Sequence, residues 1–229
     1  MFFAEVMKKL EGLGTAQNRK IYKRHGASEP MFGVSFANQY KLQKAIKRDH
    51  KLALQLWASK NVDAQTLATM IADPEQFDEE TIDQWLQSTQ YHMLIDVIVG
   101  NIVSKTSFAQ KKLHNYIKSK DEGIGRAGWR ILASLAMYNE DLPDAFFEKF
   151  LPLIEVQIHQ AKNRTREAMN TALIAIGCRN DDLAKLATAA AKRIGPVEVD
   201  HGETSCKTPN AMEYIKKTRD RAKKKLARK

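Results

Sequence analysis

The stretch VEVDHGETSCKTPNA, residues 197–211, gathers Asp200, His201, Glu203, Ser205 and Cys206 into one short polar run. Carboxylate, imidazole and thiol groups are zinc ligands and parts of nucleophilic sites. Their spacing argues against both uses. Cys206 has no CxxC companion, His201 has no HxxxH partner, and nothing supplies the electropositive setting a thiolate needs. No metal is expected. The run reads as an architectural loop after the helix stop Gly195–Pro196, its short polar side chains capping neighbouring backbone groups. A second use, as a cleft rim with His201 and Lys207 near a phosphate, stays open.

The other candidate is Asp96, set among apolar residues in MLIDVIVG. A carboxylate buried there without a partner is costly, so it must face a cleft or a cation. In a cleft it can stabilise growing positive charge or orient a water. Paired with Arg126 or Arg130, it would instead lock neighbouring helices together. His92 stands four residues earlier, on the same helix face and within reach of a hydrogen bond.

Helical periodicity runs almost end to end and leaves no alternating strand of useful length. Phe3, Val6, Met7 and Leu10 form one stripe, stopped by Gly12 and Gly14. Ser35 opens a helix with Phe36, Tyr40, Ala45 and Ile46 on one face, and Asp63 starts another that halts before Pro74. DEETIDQWLQS stacks Ile82, Trp85 and Leu86, and YHMLIDVIVGNIVSK is apolar enough for burial on most sides. Further on, a helix bends near Pro152 and REAMNTALIAIGCRN ends at Gly177. The sum is about a dozen helices with short links, the habit of degenerate paired-helix repeats. The expected fold is all-α, an α-α superhelix of HEAT-like repeats with a concave cleft. It would form one domain over residues 1–215, followed by a basic helical tail at 216–229.

Charge sits unevenly. The last fourteen residues hold nine Lys and Arg against one Asp, while the formal net charge of the whole chain is +10. The high isoelectric point is therefore mainly a property of the tail, which suits salt-sensitive binding of nucleic acid or plain solvation. Its apolar stripe is too weak for a membrane surface, and nothing approaches the ~20 apolar residues of a span. No signal peptide is expected, since the opening MFFAEVMKKLEGLG lacks the basic-then-apolar order of one. Two cysteines imply no disulfide framework, so the cytoplasm is the expected location.

Several segments carry a resemblance: MFGVSF at 31–36, LALQLWASK at 52–60, YHMLIDVIVGNIV at 91–103, GRAGWRILASLAMY at 125–138, REAMNTALIAIGCRN at 166–180 and the opening run at 197–211. Together they resemble the AlkD-like family of DNA alkylation-repair proteins, over most of residues 30–215. The resemblance implies a HEAT-like solenoid that holds double-stranded DNA, damaged or distorted, on its concave face without a pocket for a flipped base. It also implies a glycosylase of cationic N-alkylated purines that needs no cofactor, because the base is already a charged leaving group. Asp96 then corresponds to the catalytic carboxylate. His92 and Thr171 stand where the family has lesion-facing tryptophans, each a stacking contact of ~1–3 kcal/mol that is absent here. Arg126 matches the phosphate-side arginine, with Arg130 one turn away as the alternative. Those departures leave two further readings: a non-catalytic binder of damaged or branched DNA, and a protein-interaction scaffold.

Overall fold

The computed structural model describes residues 1–226, so the last three residues of the expected tail lie outside the described residues. The chain forms two compact units. One comprises Met1–Ala109 with Gly202–Thr204, the other Gln110–His201 with the chain from Ser205 on. Among the described residues there is no strand; a lone backbone bridge joins Gly14 and Val34.

The first unit contains α1 (Phe3–Leu13), α2 (Ala16–Arg24), α3 (Phe36–Ile46), α4 (His50–Ala58), α5 (Val62–Ile71), α6 (Glu79–Gln87) and α7 (His92–Asn101). Local chemistry starts them: Thr15, Ser35, Asp49, Asn61 and Asp78 each accept a backbone N–H of the following first turn. α1 buries Val6 and Leu10 and ends at Gly14, with Gly12 inside the helix. α5 is buried on nearly every side. Against the expected stripe, α3 turns Gln39 and Leu42 inward and leaves Tyr40 half in water. The reason is a tertiary bond: the Gln39 amide donates to the Asp63 carbonyl at 3.0 Å.

Asp63 itself departs from the sequence reading. Asn61 caps α5, and the Asp63 carboxylate, 2% exposed, instead accepts backbone N–H groups of Phe32, Gly33 and Val34 at 2.6, 2.8 and 2.7 Å. That clamp holds MFGVSF in its extended course. Gly33 adopts φ +81°, and a Cβ there would lie 2.7 Å from the backbone nitrogen of Arg19, so this position requires glycine. The clamped segment in turn seats α2, through Asn18 Nδ2 donating to the Gly33 carbonyl and the Tyr22 hydroxyl donating to that of Val34. Burial first, then the Asp63 charge, pushes the Tyr22 phenol up to about 12. Across α4 and α6, the rings of Trp57 and Trp85 stack at 3.8 Å with 1° between their planes, and Phe77 meets Trp85 edge-on.

The second unit holds α8 (Ala109–Tyr116), α9 (Glu122–Tyr138), α10 (Asp144–Glu148), α11 (Leu151–Gln157), α12 (Asn163–Arg179), α13 (Asp181–Ile194) and α14 (Ala211–Leu226). The helix expected to bend at Pro152 is interrupted before it, and Pro152 stands in the first turn of α11, where a missing donor costs nothing. α9 and α12 pack along their whole lengths. Arg179 ends that pairing: it donates to the carbonyls of Ala136, Asn139 and Leu142 and lies 4.7 Å over the Phe147 ring. Gly177 does not end α12, as expected from sequence; it is buried inside the helix, at the spot where Ile215 of α14 presses closest.

Candidate nucleic-acid interface

α7 buries Leu94, Ile95, Ile98 and Val99, while Met93, Asp96 and Val97 are half-buried and Gly100 is exposed. Spacing by three and four places those four on one stripe, so Asp96 belongs to the partly open side of an otherwise buried helix. Asn101 pins the helix to α5 by donating to the Thr69 hydroxyl at 3.0 Å. His92, buried, begins α7 one turn before Asp96, and its ring lies 5.9 Å from that of His25 at the end of α2. A half-exposed carboxylate backed by apolar side chains sits in reduced dielectric, where it acts on nearby charge more strongly than in water.

In the second unit the sequence-predicted residues gather on a carboxylate that the sequence did not single out. Glu167 of α12 receives Arg126 of α9 at 2.8 Å and Arg164 at 3.2 Å, and His201 Nδ1 lies 3.8 Å from its other oxygen. Arg126 also donates to the Arg164 carbonyl at 3.0 Å, and its side chain is 5% exposed. The expected phosphate-facing arginine is thus a buried strut between helices; Arg130, one turn on, is half-buried. Burial by itself would push the Glu167 carboxyl up, but the charges and hydrogen bonds of Arg126 and Arg164 together hold it below the usual carboxylate range. Thr171 stands one turn after Glu167 and donates its hydroxyl to the Glu167 carbonyl at 3.0 Å, so its polar atom serves the helix backbone. Glu122 completes the cluster by accepting the Arg164 N–H at 2.6 Å, which ties the start of α12 to that of α9.

The 197–211 run crosses this region as a loop of backbone contacts. Asn163 and Asp200 exchange two hydrogen bonds, Arg166 donates to the Glu198 carbonyl, and Asn170 donates to that of Pro209. The His201 ring meets the Thr208 hydroxyl at 3.0 Å. Lys207 and Cys206 are exposed. Among the described residues, no three His, Cys, Asp or Glu side chains are grouped to hold a metal ion. No helix among them is long and apolar enough to cross a membrane.

α14 carries the basic residues of the tail. Ile215 seats it in the core, and Asp181 at the start of α13 takes Arg219 at 2.8 Å and Lys223 at 3.3 Å. Lys217, Arg221, Lys224 and Lys225 remain exposed. The sequence places His92, Asp96, Arg126, Arg130, Thr171, His201 and Lys207 correctly on helices or in the loop. It gives no sign of Glu122 or Glu167 as partners of the other helix, because the contacts between α9 and α12 join residues about forty positions apart.

The model of the DNA alkylation repair enzyme family matches residues 6–215. The chain belongs to that family. Among its relatives are the uncharacterized proteins Lin0241 of Listeria innocua and Lmo0209 of Listeria monocytogenes. The first is 30% identical over 96% of this chain and 98% of its own length; the second is 29% identical over 96% and 99%. A solved structure described as a new family of proteins related to the HEAT-like repeat DNA glycosylases, with affinity for branched DNA structures, is similar at 34% identity. It covers 97% of this chain and 95% of its own, with a TM-score of 0.88. The all-α fold is therefore that of HEAT-like repeat proteins. The alkylation-repair family match closes at Ile215, the residue that seats α14, so the basic side chains from Lys216 onward fall outside it.

Proposed function

We propose that the protein binds double-stranded DNA at damaged or distorted sites, branch points included, with residues 1–215 as one domain and the basic tail adding affinity. The supporting observation is Asp96, a carboxylate kept on the open stripe of a buried helix at the family's catalytic position, without the neighbouring aromatic surfaces. With His92 and Thr171 at the positions of the tryptophans, stacking on a damaged base is lost. In this reading the protein holds the DNA backbone rather than the damaged base. Arg130, Thr171, His201 and Lys207, all at least partly exposed, are our DNA-facing set in the second unit, with Arg126 supporting them through Glu167. The family's chemistry requires neither cofactor nor metal, and the cytoplasm is our expected location. Gel-shift or anisotropy titrations should give tighter binding to a four-way junction than to the same sequence as linear duplex. Equal affinity for both would remove the branch preference, and no binding at low salt would remove the reading altogether.

A second reading keeps Asp96 as a catalyst that stabilises the deoxyribose as the glycosidic bond of an alkylated purine breaks. Its half-exposed placement favours it. It predicts release of 3- or 7-methylpurine from alkylated DNA, abolished by Asp96→Asn while DNA affinity is kept. Absence of release at enzyme excess eliminates catalysis and leaves binding untouched.

A further inference from the structure

α2 is the least buried helix of the first unit: none of its nine residues is fully buried. A surface helix ordinarily owes its place to an apolar stripe. α2 is held instead by its Thr15 cap, by Asn18 and Tyr22 on the clamped segment, and by Glu29, which takes Arg19 at 2.8 Å and Lys23 at 2.9 Å. The hydrogen bond from Arg19, followed by that from Lys23, holds the Glu29 carboxyl at about 2, so it stays charged throughout the physiological range. Lys20 and Arg24 lie one turn apart and, among the described residues, join no ion pair. Two like-charged pairs at helical spacing, Arg19–Lys23 and Lys20–Arg24, work against the helix they stand on. Among the described residues, neither the Lys20 nor the Arg24 side chain is buried.

These four cations line one open cavity of about 680 Å³, together with Ala16 and Glu203. Glu203 comes from Gly202–Thr204, the three loop residues that belong to this unit. A Cβ built on Gly202 would lie 3.8 Å from the Arg24 carbonyl, so the loop runs against the end of α2. Glu203 forms no ion pair with any of the four, although it shares their cavity. The cavity keeps a surplus of positive charge and holds a carboxylate that can be displaced. His25, next after Arg24, places this end of α2 against His92 and hence one turn from Asp96.

We propose that the α2 cavity binds phosphates of the DNA backbone and that Glu203 is a resident anion competing with them; this rests on the DNA-binding reading. The geometry suits a strand better than a lone anion. A rise of about 1.5 Å per residue sets Lys20 and Arg24 about 6 Å apart along the helix. Phosphates on one strand advance about 3.4 Å along the duplex axis, so the pair spans about two steps. A strand lying there passes the His25–His92 contact on its way to Asp96.

The test measures junction-DNA affinity from about 50 to 200 mM NaCl for wild type, Lys20→Ala/Arg24→Ala and Glu203→Gln. The double variant should lose about two units of the salt slope and bind about tenfold more weakly at the lower salt. Glu203→Gln should bind about threefold more tightly, since one repulsive charge is gone. Circular dichroism of the variants should match wild type and the melting temperature should not fall, because neither Lys20 nor Arg24 is buried or paired and their mutual repulsion is removed. A double variant with wild-type slope and affinity overturns the phosphate site while leaving DNA binding intact. An unchanged Glu203→Gln overturns the competing role. Loss of wild-type binding at the lowest salt takes this proposal down along with the DNA reading. Inorganic phosphate that displaces DNA at equal phosphate concentration overturns the backbone as the ligand.

Discussion

Asp63→Ala is expected to lower the free energy of unfolding by about 4 kcal/mol, because a lost carboxylate leaves three backbone donors without their acceptor at ~1–3 kcal/mol each. Partial hydration of Phe32, which is half-buried, keeps the cost below the full sum. Asp63→Asn should fall between, since its amide keeps one acceptor oxygen but turns a donor toward another donor. Urea unfolding with an unchanged m-value measures both. A loss under about 1 kcal/mol for the alanine variant would show that MFGVSF holds its course without the clamp. The damage should spread to α2, because Asn18 and Tyr22 dock on the same segment. Amide exchange in α2 should therefore accelerate more than in α6, which makes no use of it.

Glu167→Ala should cost about 3–5 kcal/mol, the range found when one member of a buried ion pair is removed and the other stays charged. Arg126 is that other member. Replacing both, as Arg126→Met with Glu167→Met, should cost much less than the sum of the single changes, because two desolvated charges leave together. Additive losses in that cycle would mean the pair is not coupled. The pair also sets an acid response. Glu167 has a carboxyl pKa lowered by folding, so its stabilisation is fully present above the ordinary value of 4.5 and is lost as pH falls through the folded value. Glu167→Gln should accordingly flatten the stability profile below about pH 4.5. A profile as steep as wild type would assign the acid sensitivity elsewhere.

Much of the fold was legible because its signals are local. Ser35 and Asp78 announce their helices by what stands next to them, and Ile82, Trp85 and Leu86 announce a buried face by spacing. Where the reading failed, the deciding partner was remote. Gln39 went inward over Tyr40 for a carbonyl 24 residues away, and Asp63 left helix capping to Asn61 for amides about thirty residues back. Gly177 looks like a stop until Ile215 arrives against it. α2 escaped because a helix without an apolar stripe has no periodicity to read. Its four cations vanished in a near-balanced charge count over the chain body. For the site, the His92–Asp96 spacing was readable along one helix, while the Arg126–Glu167 pair depends on two helices meeting.

The stacked indoles of Trp57 and Trp85 give the first unit an optical signature. Chromophores stacked 3.8 Å apart with parallel ring planes couple their strong ultraviolet transitions, so the native chain should show a split far-ultraviolet dichroic band. The third tryptophan, Trp129, lies in the other unit against Phe150 and contributes ordinary emission from a dry setting. Collapse of the band reports separation of α4 from α6, and with Trp57 and Trp85 replaced by phenylalanine a red shift of emission reports water reaching α9. The two halves of this molecule can therefore be watched coming apart separately, in unlabelled protein.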